Sequence, residues 1–318
     1  MTKDSIQGAR FSVPKEIPLP YEVRDLEGAV IVEQGELFSN QLIRKITQGG
    51  PRAKPALSMR DFSTLWQDIN QVFNDSPLKD LFQGKSLKAH LKEALLETTI
   101  PTLVIEVLRY FKDKDPYTYW HSLRVFVLTA HTALNLLSDP EEGRLVASMG
   151  PLHDMGKIGI PLGILQKETP LTGEERKRIR HHVLVGSILL SYYQGYLDKL
   201  GPYVTLEHHE RRNGSGYPFG MALSDRKIEI VAVCDVYDAL ISPRPYRNRP
   251  YDFRTCLEVL TEKAIEGGFS PDIVNFIIGL HRKGKENYKT LSPSLETRGT
   301  PPEQNSYGQE SIASYEKI

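Results

Sequence analysis

The stretch from His208 through Pro218 reads His-His-Glu-Arg-Arg-Asn-Gly-Ser-Gly-Tyr-Pro and concentrates more chemistry than any other in the sequence. It opens with two adjacent imidazoles. Imidazole is the commonest protein ligand for transition metals and binds as the neutral base. Neighbouring side chains diverge, so His208 and His209 serve one centre only if the backbone bends sharply. Gly214 and Gly216 permit a positive φ for such a bend, and Pro218 fixes the turn that follows. Taken alone, the stretch reads equally well as a surface turn with two solvated histidines.

Other residues of the same chemistry weigh against that plainer reading. His153-Asp154 stands where a helix is expected to end, and Lys157, three residues on, brings an ammonium suited to a phosphate oxygen. His121 opens an apolar helical run, where a lone histidine is ordinarily a core or capping residue. His182 falls inside the stripe Ile179, Val183, Gly186, Leu189 and Leu190, and Gly186, one turn later, is expected to clear room for its ring. His181 lies about 100° round the helix and faces elsewhere. Asp235 and Asp238 share a helix face with Ile228 and Val231, and a carboxylate on an apolar face requires a partner, either a metal or an arginine. The set His121, His153, Asp154, His182, His208, His209 and Asp235 exceeds one tetrahedral zinc site. It suits two divalent ions sharing a bridging carboxylate. Imidazole and carboxylate without thiolate favour iron or manganese, with zinc, cobalt and nickel as alternatives.

The elements that must position these residues are mainly helical. Apolar spacing predicts helices over Phe38–Ile46, within Met59–Phe82, from Leu87 onward with a break near Pro101, over His121–Leu137, and over Glu141–His153. Gly150-Pro151 is expected to bend the last of these. A capping box, Thr172 with Glu175, starts a helix running to about Tyr193. Further helices are expected before His209 and over Ile228–Leu240, Phe253–Ile265 and Pro271–Leu280. Near the N-terminus, Glu27-Gly28 separates two short strand-like runs, which predicts a hairpin. The fold class is therefore mostly α. Residues 1–87 form a small N-terminal α+β module of unassigned role, residues 88–288 the helical domain, and residues 289–318 a polar tail expected to be mobile and dispensable.

Composition limits what the chain can be. Over 318 residues, 40% are apolar and 25% charged, with a formal net charge of zero. That gives no global basic field for nucleic acid or an anionic membrane. The two cysteines, Cys234 and Cys256, sit in apolar helical sequence and fit buried thiols of a reducing compartment. No apolar run approaches a membrane span, and the first residues lack a signal-peptide core. The expectation is a soluble, cytoplasmic protein.

These residues resemble the HD-GYP family of HD-type metal-dependent phosphohydrolases. Its order of motifs is matched by His121, His153-Asp154, His182, His208-His209 and Asp235. The His-Asp-x-Gly-Lys motif is matched by His153 through Lys157, and the long His-His-Glu-x-x-x-Gly-x-Gly-Tyr-Pro signature by His208 through Pro218. The segments Asp235 to Leu240 and Arg244 to Arg247 also match. The resemblance covers about residues 88 to 283 and implies an all-helical HD-type bundle. It implies cleavage of cyclic di-GMP to pGpG, and in some members to GMP, by hydroxide that two metals activate. It implies that His121, His153, Asp154 and Asp235 hold one ion and His182, His208 and His209 the other, with Asp154 bridging. It assigns Lys157, Arg244 and Arg247 to substrate phosphate and Tyr217 to the loop beside the substrate. Two departures stand out. Tyr117 replaces a glutamate that helps some members hold a third metal, and Asn213 replaces an aspartate before the first loop glycine. A catalytically idle cyclic di-GMP receptor, or a module that binds a partner protein through the Gly-Tyr-Pro loop or the N-terminal module, is the alternative class.

Overall fold

The computed structural model describes residues 12–51, 56–75, 77–194, 200–244, 249–282, 287–291, 293–294 and 296–302. Near the N-terminus β1 (Ile17–Pro18), β2 (Val23–Arg24), β3 (Val30–Val32) and β4 (Leu37–Phe38) form two antiparallel pairs, β1 with β4 and β2 with β3. The β2–β3 pair is the expected hairpin. Its turn is closed by the Asp25 carboxylate, which accepts from the N–H groups of Glu27 and Ala29. Helix α1 (Asn40–Gly49) follows, with the Ser39 hydroxyl accepting from the Leu42 N–H as its cap.

β5 (Ala56–Ser58) precedes α2 (Ser63–Asp75) and α3 (Lys85–Leu96), and then pairs antiparallel with β6 (Thr99–Pro101). A boundary between residues 87 and 88 therefore falls in the first turn of α3, and the β5–β6 pair ties the two parts together. One apolar cluster runs through both, from Val13 to Leu291. Within the described residues, the expected division into module and domain does not coincide with a gap in packing.

The helical body is built on α4 (Thr102–Lys114) and α5 (Pro116–Leu136), with Pro116 at the start of α5, where its missing N–H costs nothing. Helix α5 is buried over most of its length and packs on α2, α4, α6 (Pro140–Met149) and the helix over Arg226–Ile241. α6 ends at Met149 rather than at His153. Pro151 cannot continue it, and the chain tightens into the 3-10 turns Gly150–Leu152 and Met155–Gly159. Gly150 is required here, because a Cβ on it would meet the Phe126 Cα at 2.7 Å.

A short α7 (Leu162–Leu165) leads to α8 (Gly173–Arg180), which carries the predicted capping box. The single helix expected from Thr172 to Tyr193 is two, broken at His181, with α9 starting at His182 and running to Gln194. His181 does face away from His182. It is buried against the Tyr21 ring of the N-terminal segment, with centroids 5.5 Å apart. Gly186 does not make room for His182; a Cβ there would crowd the Thr205 side chain at 3.1 Å and the Gly156 nitrogen at 3.3 Å.

α10 (Leu200–Glu207), α11 (Arg226–Ile241), α12 (Phe253–Ile265) and α13 (Pro271–Leu280) complete the body. α11 is buried from Ile228 to Ile241. The described part of the C-terminal tail is anchored rather than loose: the Arg298 and Gly299 N–H groups donate to Glu258 on α12 at 3.0 and 2.8 Å. Residues 303–318 lie outside the described set. Among the described residues, no helix is long and apolar enough to cross a membrane. Cys234 and Cys256 are both buried free thiols.

Candidate metal centre

The bundle converts five scattered elements into one cluster. α5 contributes His121, the break after α6 His153 and Asp154, the start of α9 His182, the end of α10 His208 and His209, and the middle of α11 Asp235. One donor atom from each of Asp154, His182, His208 and His209 lies within 4.8 Å of the others, and His121, His153 and Asp235 meet the same limit. All seven expected residues are thus brought together. His153 and His208 are fully buried, and His121, Asp154, His182 and Asp235 nearly so. Close backbone approach makes the convergence possible. A Cβ on Gly156 would lie 1.9 Å from the His182 carbonyl oxygen, so only glycine lets the His-Asp turn reach α9.

The tautomers follow from the hydrogen bonds. Nδ1 of His153 donates to the Gly150 carbonyl at 2.6 Å, Nδ1 of His182 to the Ile179 carbonyl at 2.7 Å, and Nδ1 of His208 to the Val204 carbonyl at 2.9 Å. A carbonyl oxygen only accepts, so each ring carries its proton on Nδ1 and turns a bare Nε2 inward. The Nε2 atoms of His182 and His208 are 3.4 Å apart, and Asp154 Oδ1 is 3.3 Å from the former. Three lone-pair donors facing one another repel unless a cation sits among them, so this donor set fits a divalent metal. Burial pushes His182 down to about 4 and, with neighbouring imidazoles, His208 to about 3. Both stay neutral, the form that ligates.

The two carboxylates span the cluster. Asp154 Oδ2 lies 3.4 Å from His121 Nε2 and 3.3 Å from His153 Nε2, while its Oδ1 faces His182. Asp235 Oδ1 lies 3.2 Å from His121 Nε2. Burial alone would raise the Asp154 carboxyl, yet Lys157 and the surrounding histidines hold it well below the usual range. Lys157 sits with its ammonium 2.5 Å from Asp154 Oδ2. Burial opposes charge on His121, but Tyr117 and the carboxylates of Asp154, Asp235 and Asp238 draw it well up. As a ligand to a divalent ion, His121 would give up that proton.

Asp238 is a residue whose role the sequence leaves open. Its partners are Arg124, whose Nε donates at 2.6 Å, and His121 Nδ1 at 2.7 Å. It orients His121 as the backbone carbonyls orient the other rings. The helix-face pattern marked Asp238 correctly, but only packing of α5 on α11 shows which side chain it meets.

The Gly-Tyr-Pro loop is held from inside. The buried Glu210 carboxylate accepts from the N–H groups of Phe219, Gly220 and Met221 at 2.7, 3.2 and 3.2 Å. Gly214 takes φ +75, as expected. Gly216 serves differently, because a Cβ there would strike the His209 carbonyl oxygen at 2.3 Å. The Asn213 Oδ1 accepts from the Ser215 N–H at 3.1 Å, so its acceptor closes the loop. Tyr217 stacks on His209, with centroids 4.6 Å apart and planes 19° apart, under the Arg180 guanidinium at 5.1 Å. Tyr117 stacks on His121 at 6.0 Å and 7°, under the Arg244 guanidinium at 5.7 Å. Arg247 lies outside the described residues.

A helical body that gathers imidazoles and carboxylates around a His-Asp turn defines an HD-type protein. The HD domain family matches residues 107–272, and the chain belongs to that family. The His208–Pro218 signature is what this chain shares with the HD-GYP branch that its sequence resembles. A cyclic di-GMP phosphodiesterase of Thermotoga maritima is 36% identical over 58% of this chain and 51% of its own length. A cyclic di-GMP phosphodiesterase of Pseudomonas aeruginosa is 41% identical over 54% of this chain and 43% of its own. A 3'3'-cGAMP-specific phosphodiesterase of Vibrio cholerae is 32% identical over 62% of this chain and 37% of its own. The chain therefore spans about half, or less, of the curated relatives it matches.

Proposed function

We propose that this protein is a metal-dependent phosphodiesterase that hydrolyses cyclic di-GMP to linear pGpG. The supporting observation is the set of imidazole Nε2 atoms and carboxylate oxygens turned toward one another at 3.2–3.4 Å. In this reading His121, His153, Asp154 and Asp235 hold one divalent ion, and His182, His208, His209 and Asp154 a second, iron or manganese. Tyr117 offers no carboxylate for a third.

Such ions, when bound, supply Lewis acidity that acidifies water and offsets phosphoryl charge. The chain's own groups do the rest. Nδ1 hydrogen bonds to backbone carbonyls and to Asp238 fix the ring orientations, so no reorganisation is needed during reaction. Asp154 orients both halves. Lys157, beside Asp154, and Arg244, three residues past the end of α11, are the cations that neutralise phosphoryl oxygens. Arg binds them bidentately and Lys as a point charge. The resemblance assigns Arg247 to the same task. Tyr217 lines the substrate side of the loop.

Relatives named for cyclic di-GMP and for 3'3'-cGAMP support a cyclic dinucleotide as the substrate class and leave the second base open. Purified protein incubated anaerobically with Fe(II) or Mn(II) should carry about two ions per chain and linearise cyclic di-GMP. Protein that binds both ions and the dinucleotide without turnover would instead be a receptor. Protein that turns over 3'3'-cGAMP far better would keep the mechanism and change the base.

A further inference from the structure

Tyr117 stands where the family resemblance leads one to expect a carboxylate, and nothing assigns it a task. Its hydroxyl oxygen is buried and makes no hydrogen bond among the described residues. A buried hydroxyl without a partner costs about 1–3 kcal/mol, and such groups in native proteins call for an explanation. Both contacts of its ring point to the site. One is the parallel stack on His121, the other the Arg244 guanidinium over it. Two cationic donors stand on the same side of the cluster: Arg244, over the Tyr117 ring, and Lys157, whose ammonium is 2.5 Å from Asp154 Oδ2. Arg124 is already committed to Asp238. An O–H lacking an acceptor, next to cationic side chains, suits an anionic oxygen.

We propose that Tyr117 is a substrate-binding residue: its hydroxyl donates to a non-bridging oxygen of the phosphodiester, while its ring holds Arg244 over the same phosphoryl group. The proposal rests on the phosphodiesterase reading and deepens it. At this position the chain has exchanged a metal-holding function for a phosphate-holding one.

Tyr117→Phe removes the hydroxyl and keeps both ring contacts. Three measurements on metal-loaded and metal-free protein test the proposal. Affinity for inorganic phosphate, and for cyclic di-GMP, should fall about tenfold, the loss expected for one hydrogen bond to a charged acceptor. Metal affinity should be unchanged. The thermal midpoint of ligand-free protein should stay or rise, because the variant deletes an unsatisfied buried group. A midpoint that drops means the hydroxyl has a structural partner, and overturns the proposal. Phosphate affinity equal to wild type overturns it too, as does weakened metal binding, which would make the oxygen a ligand. Failure of the wider reading looks different: wild type would then bind phosphate in a Tyr117-dependent way yet leave cyclic dinucleotides intact.

Discussion

The cluster is flanked by two stacks of the same composition: His121–Tyr117–Arg244 on one side and His209–Tyr217–Arg180 on the other. Their supports differ. The first grows from long buried helices. His121 and Tyr117 lie on α5, Asp238 on α11 fixes the imidazole, and Arg124 fixes Asp238. The second is carried by a loop and by α8, a helix of eight residues. Its order rests on hydrogen bonds within and beside the loop, among them Glu210 gathering three backbone N–H groups and Asn213 closing the turn. A ligand set on helices keeps its geometry through the whole core. A ligand set on a loop is only as rigid as its internal hydrogen bonds. The two flanks should therefore respond differently to mutation.

Asp154 is the point where the comparison should vanish, because it places one oxygen toward each side. Asp154→Ala should abolish bound metal and hydrolysis together, measured as ion content and turnover of cyclic di-GMP on one sample. Turnover retained by this variant refutes a shared carboxylate. Lys157→Ala is next in size. It should keep both ions and lose about 10²-fold in rate, as for the loss of one preorganised charge stabiliser. An ion content that drops to zero would show that Lys157 serves the carboxylate rather than the phosphate.

Asp238→Asn should separate the flanks. The amide can still accept from one neighbour, but the charge that anchors Arg124 and His121 is gone. Loss of such an orienting partner weakens metal affinity about 10–100-fold. The effect should be confined to one ion, so a metal titration should split into a tight and a weak step. Two steps weakened equally would mean that the halves are not independent.

The seven donors and the helices that carry them were legible in the sequence, because side-chain chemistry and apolar period are local properties. The Thr172 capping box, the β2–β3 hairpin and the extent of α12 followed for the same reason. What stayed hidden depends on which elements touch. Asp238 showed its helix face but not His121, which approaches from α5, 117 residues earlier in the chain. Gly186 showed a gap but not that α10 fills it. The break at His181 escaped because the apolar stripe continues across it, while Tyr21, packed on that ring, belongs to a distant segment. Tyr117 could be seen as a missing carboxylate, yet its stack and its unpartnered hydroxyl exist only in three dimensions.

The loop-borne flank offers the smallest and most selective test, Glu210→Gln. The substitution keeps the shape and one acceptor oxygen, which can continue to serve Phe219 and Gly220. It replaces the other oxygen by an NH2 group, so the Met221 N–H, now 3.2 Å from a carboxylate oxygen, loses its acceptor. That single loss should cost about 1–3 kcal/mol of local stability. Hydrogen exchange at Phe219 through Met221 should quicken, while the amides of α5 and α11 keep their protection. Tyr217 and His209 ride on the same loop, so KM for the cyclic dinucleotide should rise a few-fold with a smaller change in kcat. The tight metal step on the His121 side should not move. If exchange quickens equally in α5, the two flanks form one cooperative unit, and the contrast between helix-held and loop-held halves is wrong.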